Sequence, residues 1–286
     1  MNKVDLIVLN YNDYKTTSKF IESVKGYSNI DHIVVVDNNS TDKSFELLLK
    51  YKSNKIHIIK SEKNGGYSYG NNYGIKYAIN NFHSEYIIIS NPDVFFEKEI
   101  IEDMKSIYAR EKNIGIVAPT MLINGELKWT SWKLPSFRDD LIATSHLLKN
   151  KLGDKTLYPK EHFKGEYSFV DILPGSLFMI PSNVIEEVGF FDEDVFLYCE
   201  ERMLSKRLID KGYRNVILNN KTYDHQHSAS IGKNIDNSIK IYKIMSKSTY
   251  IYNVKYNKIG FLKRLIYKSL VNIMLMRMKL SLLIRR

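Results

Sequence analysis

The stretch VDLIVLNYN at residues 4–12 sets the architecture of this chain. Its first part, Val4–Leu9, is a largely apolar run with β-branched side chains, which predicts a buried strand. Asn10, Tyr11 and Asn12 follow that strand directly. In an open α/β sheet, ligands bind beyond the carboxyl ends of the strands. The opening of the chain therefore predicts one buried strand of such a sheet, with three side chains at its binding edge.

The same pattern recurs through the first 120 residues. Further strands are predicted at 32–36, 55–59, 86–89 and 114–117. Helices are predicted at 15–26, from near residue 42, after the glycine- and asparagine-rich stretch 64–74, and at 97–111. Strand–helix alternation with short links predicts an α/β fold, with a mostly parallel sheet and helices on both faces. The polar clusters at 10–12, 37–42 and 90–93 each follow a strand, so we expect them to gather at one edge.

The second half of the chain is less regular. Residues 121–170 are expected to be irregular. Order returns in a strand at 172–180 that Pro174-Gly175 interrupts, in helices at 183–188 and from 196–201 to Gly212, and in a strand at 216–218. Apolar residues recur at helical spacing in the tail. We divide the chain into a domain at 1–232, with a first half (1–120) and a second half (121–232), and a basic amphipathic helical tail (233–286).

The net charge of the chain indicates which classes of partner it attracts. The 286 residues carry a net charge of +10, partly from a C-terminal end rich in Lys and Arg. A basic surface attracts nucleic acid, anionic lipid or phosphorylated small molecules. We expect no nucleic-acid binding, because the basic residues do not interleave with aromatic residues along one recognisable motif.

The cysteine content and the N-terminus bear on the compartment. Cys199 is the single cysteine, so no disulfide framework can form within one chain, which fits a reducing cytoplasm. The first ten residues begin a buried strand, so we expect no signal peptide. Lys268, Arg277 and Lys279 interrupt the long apolar stretch near the C-terminus, which argues against a spanning helix.

Two groups of polar residues in the first half are candidates for nucleotide binding. Asp37 follows a strand and can accept hydrogen bonds from a ribose or a base N–H, with Asn39 and Ser40 adding contacts. The alternative is helix N-capping. The stretch 63–72, which contains Asn64, Gly66 and Asn71, would let backbone approach a ligand closely. It matches neither the Walker phosphate loop nor the dinucleotide fingerprint.

A metal site is predicted from two further segments. Asp93, in the sequence Asn91-Pro92-Asp93 at a strand end, can hold a hard cation that bridges two phosphates, although such a sequence can also be only a turn. His225 can ligate the same metal. His227 would point to the opposite face of a strand, so we expect one of the two histidines to be a ligand.

Adjacent acids at Glu200 and Glu201 are candidate catalytic residues. They open a predicted helix and follow the partly apolar sequence Phe196–Cys199, so one of them could act as general base toward a sugar hydroxyl. The alternative is that both acids only complement the helix dipole.

Taken together and in this order, these motifs resemble family 2 glycosyltransferases of the GT-A fold, especially their rhamnosyltransferase-like branch. The matching pieces cover about residues 3–232 and are the segments 8–12, 36–42, 64–67, 70–74, 91–93, 174–176, 189–193 and 198–201. The resemblance implies that Asp37 contacts the nucleotide and that Asp93 is the last acid of the metal motif, with Asn91 in place of its first acid. It also implies that Glu201 occupies the position of the catalytic Asp and His225 lies near the metal and diphosphate.

The resemblance implies an inverting glycosyltransferase that uses Mn²⁺ or Mg²⁺ and a nucleoside-diphosphate sugar. A donor of dTDP-rhamnose follows from the resemblance alone, and UDP-linked hexoses remain open. Two positions depart from the family pattern Glu-Asp-x-Asp-Leu: Glu201 replaces the usual base, and Met203 replaces the later acid. The sequence also leaves open a nucleotidyltransferase and a sugar-nucleotide-binding protein without catalytic activity.

The acceptor and the membrane are the remaining expected partners. Trp129, Trp132, Gly175 and Ser176 are candidate contacts for a glycan or a polyprenyl-linked saccharide, with packing as the alternative role of both tryptophans. In 259–286, apolar residues at helical spacing alternate with Lys and Arg, which favours an anionic membrane surface over packing on the body or on another subunit in a homodimer. We therefore expect a cytoplasmic protein at the inner face of the plasma membrane.

Overall fold

The computed structural model describes residues 3–123, 125–127, 130–226 and 235–284. In this part of the chain, ten strands form one sheet. The strands are β1 (Val4–Asn10), β2 (His32–Asp37), β3 (Ile56–Lys60), β4 (Tyr86–Ser90), β5 (Val94–Phe95), β6 (Ile114–Ile123), β7 (Glu126–Leu127), β8 (Tyr167–Val170), β9 (Leu177–Pro181) and β10 (Arg214–His225).

The sheet is mostly parallel in its first half. Its strand order is β3-β2-β1-β4-β9-β6-β10-β5, with β7 paired to β6 and β8 to β10. β1 runs parallel to both β2 and β4, and β2 runs parallel to β3. β9 inserts antiparallel between β4 and β6, whereas β10 pairs parallel with β6. The carboxyl ends of β1, β2 and β4 therefore meet at one edge, as the sequence predicts.

Helices cover both faces of this sheet. The α-helices of the described residues are α1 (Tyr14–Val24), α2 (Ser44–Leu48), α3 (Gly66–Phe82), α4 (Glu99–Arg110), α5 (Phe137–Thr144), α6 (His146–Leu152), α7 (Ser182–Glu187), α8 (Glu200–Asp210), α9 (Ile235–Lys255) and α10 (Phe261–Ile284). Side chains alternate along each strand, so Leu6 and Val8 join a core with α1 and α4, while Ile7 joins one with α3 and α8. The predicted α/β architecture is confirmed.

The glycine- and asparagine-rich stretch differs from its prediction. It does not precede a helix but forms the first two turns of α3, which begins at Gly66. A Cβ at Gly70 would lie 2.3 Å from a Leu9 methyl carbon, and one at Gly74 would lie 2.5 Å from Ile7. The glycines therefore let α3 lie directly on the sheet, which outweighs their low helix propensity.

The prediction that residues 121–170 are irregular is wrong in part. This segment contains α5, α6 and β8. Ser136 caps α5 in a reciprocal arrangement with Asp139, a local signal that periodicity alone does not reveal. The strand predicted at 172–180 is shorter, because Ile172 forms an isolated bridge with Trp132 and β9 begins only at Leu177.

The two C-terminal helices differ in how they contact the body. In α9, Ser248 donates a hydrogen bond to the Leu197 carbonyl (2.7 Å), and Asn253 donates one to Asp140 (2.6 Å). In α10, several apolar side chains remain exposed, namely Phe261, Leu262, Leu265, Ile266, Ile273, Met276 and Leu280. Among the described residues, no helix has the length and apolar character that crossing a membrane requires.

Candidate active site

The loops after β1 and β2 meet through a hydrogen-bonded cluster. Asn10 and Asp37 are register partners at the strand ends, and the Asn10 amide donates to Asp37 Oδ2 (2.8 Å). The backbone N–H and hydroxyl of Ser40 donate to the two oxygens of the same carboxylate, at 2.8 and 2.7 Å. Asp37 is fully buried, so in this structure its carboxylate organises the two loops. Its contact with a nucleotide stays a prediction.

The side chains around this cluster are more accessible. Thr41 N–H donates to Asn12 Oδ1 (2.8 Å), which ties the two loops together at the surface. Asn12 and Asn39 adopt positive φ angles of 52° and 58°, a conformation that asparagine tolerates better than most residues. Tyr11 is 44% exposed and lies beside the cluster in sequence, so its ring is available to a planar ligand.

The start of α3 joins this edge to the segment before Glu200. Asn64 accepts hydrogen bonds from the Asn38 amide (3.1 Å) and from the Gly66 N–H (3.2 Å). Gly66 has a φ of 87°, and a Cβ there would lie 2.1 Å from the Phe196 carbonyl oxygen. Asn71 is buried within α3 and donates to the Tyr67 carbonyl (3.0 Å). Asn64 and Gly66 therefore position the backbone, and Asn71 has contacts typical of a helix interior.

Asp93 and His225 come together through the pairing of β5 with β10. The Nε2 atom of His225 lies 3.2 Å from Asp93 Oδ1, and Gln226 N–H donates to the Asp93 carbonyl (3.0 Å). The Nδ1 atom of His225 lies 3.3 Å from the sulfur of Met121. His225 is buried and Asp93 is partly exposed, so the pair faces the surface through its carboxylate.

This pair fits a divalent cation that a ligand helps to coordinate. The described residues contain no cluster of three or more His, Cys, Asp or Glu side chains that could enclose a metal. Mg²⁺ and similar ions are commonly held by one or two carboxylates together with substrate phosphates and water. One carboxylate and one imidazole therefore suit a metal shared with a diphosphate, whereas a structural zinc site would need more protein ligands.

Glu200 and Glu201 open α8 directly after two strained residues. Tyr198 and Cys199 both adopt left-handed conformations, with φ angles of 69° and 71°, which are uncommon for such side chains. Strained backbone of this kind clusters at functional sites. The turn directs the first residues of α8 toward the segment 174–176, because a Cβ on Gly175 would lie 3.3 Å from Glu201 Cγ.

The two glutamates have different surroundings. Glu200 is 5% exposed, and its Oε2 atom has no hydrogen-bond partner in the structure. Burial, followed by the nearby charge of Glu201, raises the pKa of Glu200 well above its ordinary value. Burial also raises the pKa of Glu201, and the charge of Arg202 opposes that shift. Glu201 is partly exposed, so Glu200 is the better candidate to keep its proton and Glu201 to be the accessible carboxylate.

Two tyrosines that the sequence analysis did not select connect these groups. The Tyr67 hydroxyl donates to the Gly175 carbonyl, and Tyr223 and Ser176 share a hydrogen bond between their hydroxyl oxygens (2.6 Å). Burial raises the pKa of Tyr67 well above its ordinary value, with smaller contributions from the charges of Glu200 and Glu201. Two features of the sequence could have indicated these tyrosines. Tyr67 directly follows Gly66, and Tyr223 lies two residues before His225, on the same face of the strand.

Several candidate residues thus lie close to the segment 174–176. Asn91 N–H donates to the Ser176 carbonyl (2.8 Å), and burial with the Asp93 charge raises the pKa of Tyr223. Glu201 contacts the neighbourhood of Gly175. The structure therefore brings Asp93, His225 and Glu201 around one short segment, while Asp37 reaches it less directly, through Asn38 and the start of α3.

Trp132 lies next to a cavity of about 330 Å³ at the side of α8. The cavity is lined by residues that include Trp132, Asp139, Asp140, Thr156, Leu157 and Arg202. The backbone N–H of Trp132 donates to the Ile172 carbonyl (3.2 Å), so this wall adjoins the segment that leads to Gly175. Trp129 lies outside the described residues, as do His227 and Ser228.

Comparison with known proteins identifies the family. Residues 5–170 match the family described as Glycosyl transferase family 2. This match covers more than half of the chain, so the protein belongs to glycosyltransferase family 2. The family suggested by the ordered motifs is therefore confirmed.

Curated relatives carry related names. The chain is 30% identical over 201 residues to the low-salt glycan biosynthesis hexosyltransferase Agl10 of Haloferax volcanii, covering 70% of this chain and 60% of that protein. It is 24% identical over 229 residues to an N-acetylglucosaminyl-diphospho-decaprenol L-rhamnosyltransferase of Mycobacterium tuberculosis, covering 77% of this chain and 73% of that protein. This chain thus spans less than two thirds of the length of Agl10.

Solved structures confirm the GT-A fold. The mannosyltransferase PcManGT of Pyrobaculum calidifontis, solved in complex with GDP-Man and Mn²⁺, superposes with a TM-score of 0.56 at 14% identity. The superposition covers 91% of this chain and 65% of that protein. At this identity the likeness concerns the fold, and the chemistry of this chain has to be argued from its own residues.

Proposed function

We propose that this protein transfers a sugar from a nucleoside-diphosphate donor to an acceptor hydroxyl, with inversion at the anomeric carbon. The observation that carries the proposal is the arrangement around 174–176. Glu201, a carboxylate of raised pKa, lies beside Gly175 of this segment. Tyr223, two residues before His225 of the Asp93–His225 pair, shares a hydrogen bond with Ser176 of the same segment. Membership of glycosyltransferase family 2 supports the same conclusion.

Glu201 is the proposed general base. Its carboxylate accepts the proton of the acceptor hydroxyl while the oxygen of that hydroxyl attacks the anomeric carbon. The bond between that carbon and the nucleoside diphosphate breaks on the opposite face. A raised pKa brings a carboxylate closer to the operating pH, which makes it a better base than an ordinary exposed Glu.

Asp93 and His225 are the proposed protein ligands of Mn²⁺ or Mg²⁺. Bound there, the metal supplies charge neutralisation for the diphosphate leaving group. The likeness to a structure solved with GDP-Man and Mn²⁺ supports a nucleotide sugar and a divalent cation. The Asp93 carboxylate is partly exposed, and the buried His225 ring keeps that carboxylate oriented through the 3.2 Å contact.

The loops after β1 and β2 are the proposed nucleotide wall. Tyr11 and Asn39 are accessible to a ligand there, through the side chain or the backbone, and the buried Asp37 keeps both loops in place. A direct bond from a ribose or base to Asp37 would replace the bond that Ser40 now donates. The rhamnosyltransferase relative favours dTDP-rhamnose as donor, with UDP-linked hexoses as the alternative.

The cavity beside Trp132 is the proposed acceptor site. An indole face stacks on a sugar ring, and Asp139 and Thr156 line the same cavity. Gly175 and Ser176 follow Ile172, the backbone partner of Trp132, within a few residues of the chain. A glycan or a polyprenyl-linked saccharide is the proposed acceptor. The name of the Mycobacterium tuberculosis relative, an N-acetylglucosaminyl-diphospho-decaprenol L-rhamnosyltransferase, supports this proposal.

The tail is the proposed contact with a membrane. We propose that the exposed apolar side chains of α10, with their basic neighbours, bind the anionic inner face of the plasma membrane. A second copy of the chain could cover the same side chains, which is the alternative occupant. Membrane binding would keep residues 121–232, the proposed acceptor-binding and catalytic half, close to a lipid-linked acceptor.

A second candidate function rests on Met203. This residue replaces a family acid and is fully buried in α8, so it supplies no charge to the site. A protein that binds sugar nucleotides without turnover would have the same nucleotide wall. A nucleotidyltransferase is disfavoured, because Asn10, Tyr11 and Asn12 stand where a basic phosphate-binding loop is expected.

The test combines binding and turnover. A panel of nucleotide sugars is first screened by thermal shift, because a ligand that binds the folded state raises Tm. The best donor is then incubated with acceptor and Mn²⁺, comparing the natural protein with Glu201→Gln, Glu200→Gln and Glu186→Gln, the last altering an exposed acid of α7. We expect Glu201→Gln to lose about 10²–10⁴-fold in rate and Glu186→Gln to lose none.

The other outcomes decide between the candidates. Full transfer by folded Glu201→Gln would show that the base is assigned wrongly, and a larger loss in Glu200→Gln would move that role to Glu200. Donor binding with no transfer by the natural protein would favour the non-catalytic function. Release of pyrophosphate would favour a nucleotidyltransferase.

A further inference from the structure

The two C-terminal helices enclose a groove that the proposed reaction does not use. α9 and α10 pack side by side, and the space between them has a volume of about 280 Å³. This volume is slightly below the range of about 300–1,000 Å³ that small-molecule sites occupy. The groove can therefore hold part of a ligand, with the remainder extending out of it.

The floor of the groove is largely apolar. Tyr267, Val271 and Leu275 line it from α10 at four-residue spacing, so they lie on one helix face. Tyr267 is 2% exposed and donates a hydrogen bond from its hydroxyl to the Ser246 carbonyl of α9 (3.1 Å). This bond fixes the floor, and the apolar surface above it favours an alkyl chain.

Lysines surround the opening of the groove. Lys243 and Lys247 of α9 and Lys268 of α10 line it, and all three are exposed. The Lys268 ammonium lies 5.0 Å from the centre of the Tyr250 ring, which keeps this charge over the groove. No acidic residue is among the residues that line the groove. The opening therefore favours an anion next to the alkyl chain.

The charge distribution of the whole chain agrees with this reading. Residues 235–286 contain twelve Lys and Arg and one acidic residue, so this segment accounts for the whole net charge of +10. The remainder of the chain is close to neutral. An anionic ligand with an apolar part is thus attracted to the two helices and not to the rest of the molecule.

We propose that the groove binds one anionic phospholipid, with the lipid phosphate between Lys243, Lys247 and Lys268 and part of one acyl chain over Val271. A phospholipid is the occupant because the groove is on the same helix pair as the exposed apolar side chains of α10, where bilayer lipid is at hand. This proposal is independent of sugar transfer. It adds a defined lipid site to a membrane-binding surface.

Short-chain dihexanoyl phosphatidylglycerol, used as a monomer below its micelle concentration, tests the groove apart from bilayer binding. We expect saturable binding in calorimetric titration of the full chain. The triple variant Lys243→Gln, Lys247→Gln, Lys268→Gln should weaken it at least tenfold, and Val271→Trp, which fills the floor, should do the same. The matched variant Lys15→Gln, Lys19→Gln, Lys52→Gln removes three exposed lysines of residues 1–120, the proposed nucleotide-binding half. It should bind the lipid as tightly as the natural protein does.

Four results would overturn the proposal. Equal losses in both triple variants would indicate nonspecific charge attraction, and unchanged binding by Val271→Trp would place the lipid elsewhere. Glycerol phosphate binding as tightly as the lipid would indicate a simple anion site without a chain. Tighter binding of farnesyl phosphate would assign the groove to an isoprenoid phosphate instead. Circular dichroism and Tm confirm that each variant is folded, and Asn272→Trp replaces Val271→Trp if the latter does not fold.

Discussion

Glu200 and Glu201 show how neighbouring residues of one type acquire different roles. Both are first-turn residues of α8, and the sequence nominates both as candidate bases. The helix directs Glu200 into the interior and leaves Glu201 beside Gly175. This difference in burial depends on the left-handed backbone at Tyr198 and Cys199. Neither tyrosine nor cysteine is a residue type that predicts such a conformation. The sequence therefore predicts the pair but not the division between its members.

The burial of Glu200 predicts a pH-dependent stability. Its folded-state pKa is raised, so the folded chain binds this proton more tightly than the unfolded chain does. The stabilisation is complete below the ordinary Glu pKa and is lost as pH rises through the raised value. Glu200→Gln does not titrate, so its free energy of unfolding should decline less over that window. Urea unfolding of both proteins at several pH values measures this, and parallel curves would contradict it.

A substitution at Gly66 should disturb the backbone of the segment 196–201, which carries the proposed base. Gly66→Ala places a Cβ 2.1 Å from the Phe196 carbonyl oxygen at a φ of 87°. We expect a loss of at least about 1–2 kcal/mol in the free energy of unfolding, because a left-handed conformation alone costs this much. Sugar transfer should also fall, since the 196–201 segment has to move. Gly26→Ala is the control: its Cβ would meet nothing within 4 Å, so a similar loss there would contradict the explanation.

At the scale of elements, the start of α8 is held by a buried ion pair. Arg202 donates to Asp140 of α5 (2.9 Å), and Asn253 of α9 donates to the other carboxylate oxygen (2.6 Å). Asp140 is 3% exposed, so its charge depends on these partners. Three helices from distant parts of the sequence thus meet one residue after Glu201. The hydrophobic periodicity of the sequence does not predict this meeting.

Arg202→Met should destabilise the protein by about 3–5 kcal/mol at neutral pH, because it leaves a buried carboxylate without its cation. Burial already raises the Asp140 pKa, and loss of Arg202 raises it further. The destabilisation should therefore shrink as acid pH protonates Asp140. The double variant Asp140→Asn, Arg202→Met should recover part of the loss. Equal destabilisation of the single and double variants in urea unfolding would show that the charge of Asp140 is not the cause.

The elements themselves were predictable to different degrees. β1 to β4 and α4 follow from apolar runs and helical spacing, because these residues are buried by their own sheet or helix face. The start of α3 was misplaced because glycine normally disfavours a helix, and close packing on Leu9 and Ile7 reverses that preference. α5, α6 and β8 were missed because short elements bury few residues and leave weak periodicity.

At the scale of the whole molecule, the ordered motifs predicted which side chains lie close together better than any single motif did. Asp93 and His225 are 132 positions apart, and only the antiparallel pairing of β5 with β10 brings them to 3.2 Å. The order of the motifs predicted that meeting because it resembles a known family. Tyr67 and Tyr223 were missed because their importance comes from hydrogen bonds to the segment 174–176, which no local pattern encodes.

The proposed membrane binding also concerns the whole molecule. Leu262→Ser, Ile273→Ser, Met276→Ser removes three exposed apolar side chains of α10. We expect flotation with phosphatidylglycerol vesicles to fall at least tenfold, because burial of each such side chain contributes up to about 1.5–3 kcal/mol. Leu47→Ser, Leu49→Ser, Leu127→Ser removes three exposed leucines elsewhere and should float normally. Equal flotation of all three proteins would reject the membrane face, and a concentration-dependent dimer would favour a second copy there.

The contacts of α9 have a consequence for exchanging parts between related enzymes. Asp140, Arg202 and Asn253 belong to three separate helices, so a tail transplanted from a homologue brings a new residue to an old pair. Chimeras joined between the sheet and α9 should fold only when all three positions come from the same parent. Across many homologous sequences, substitutions at these three positions should accordingly arise together.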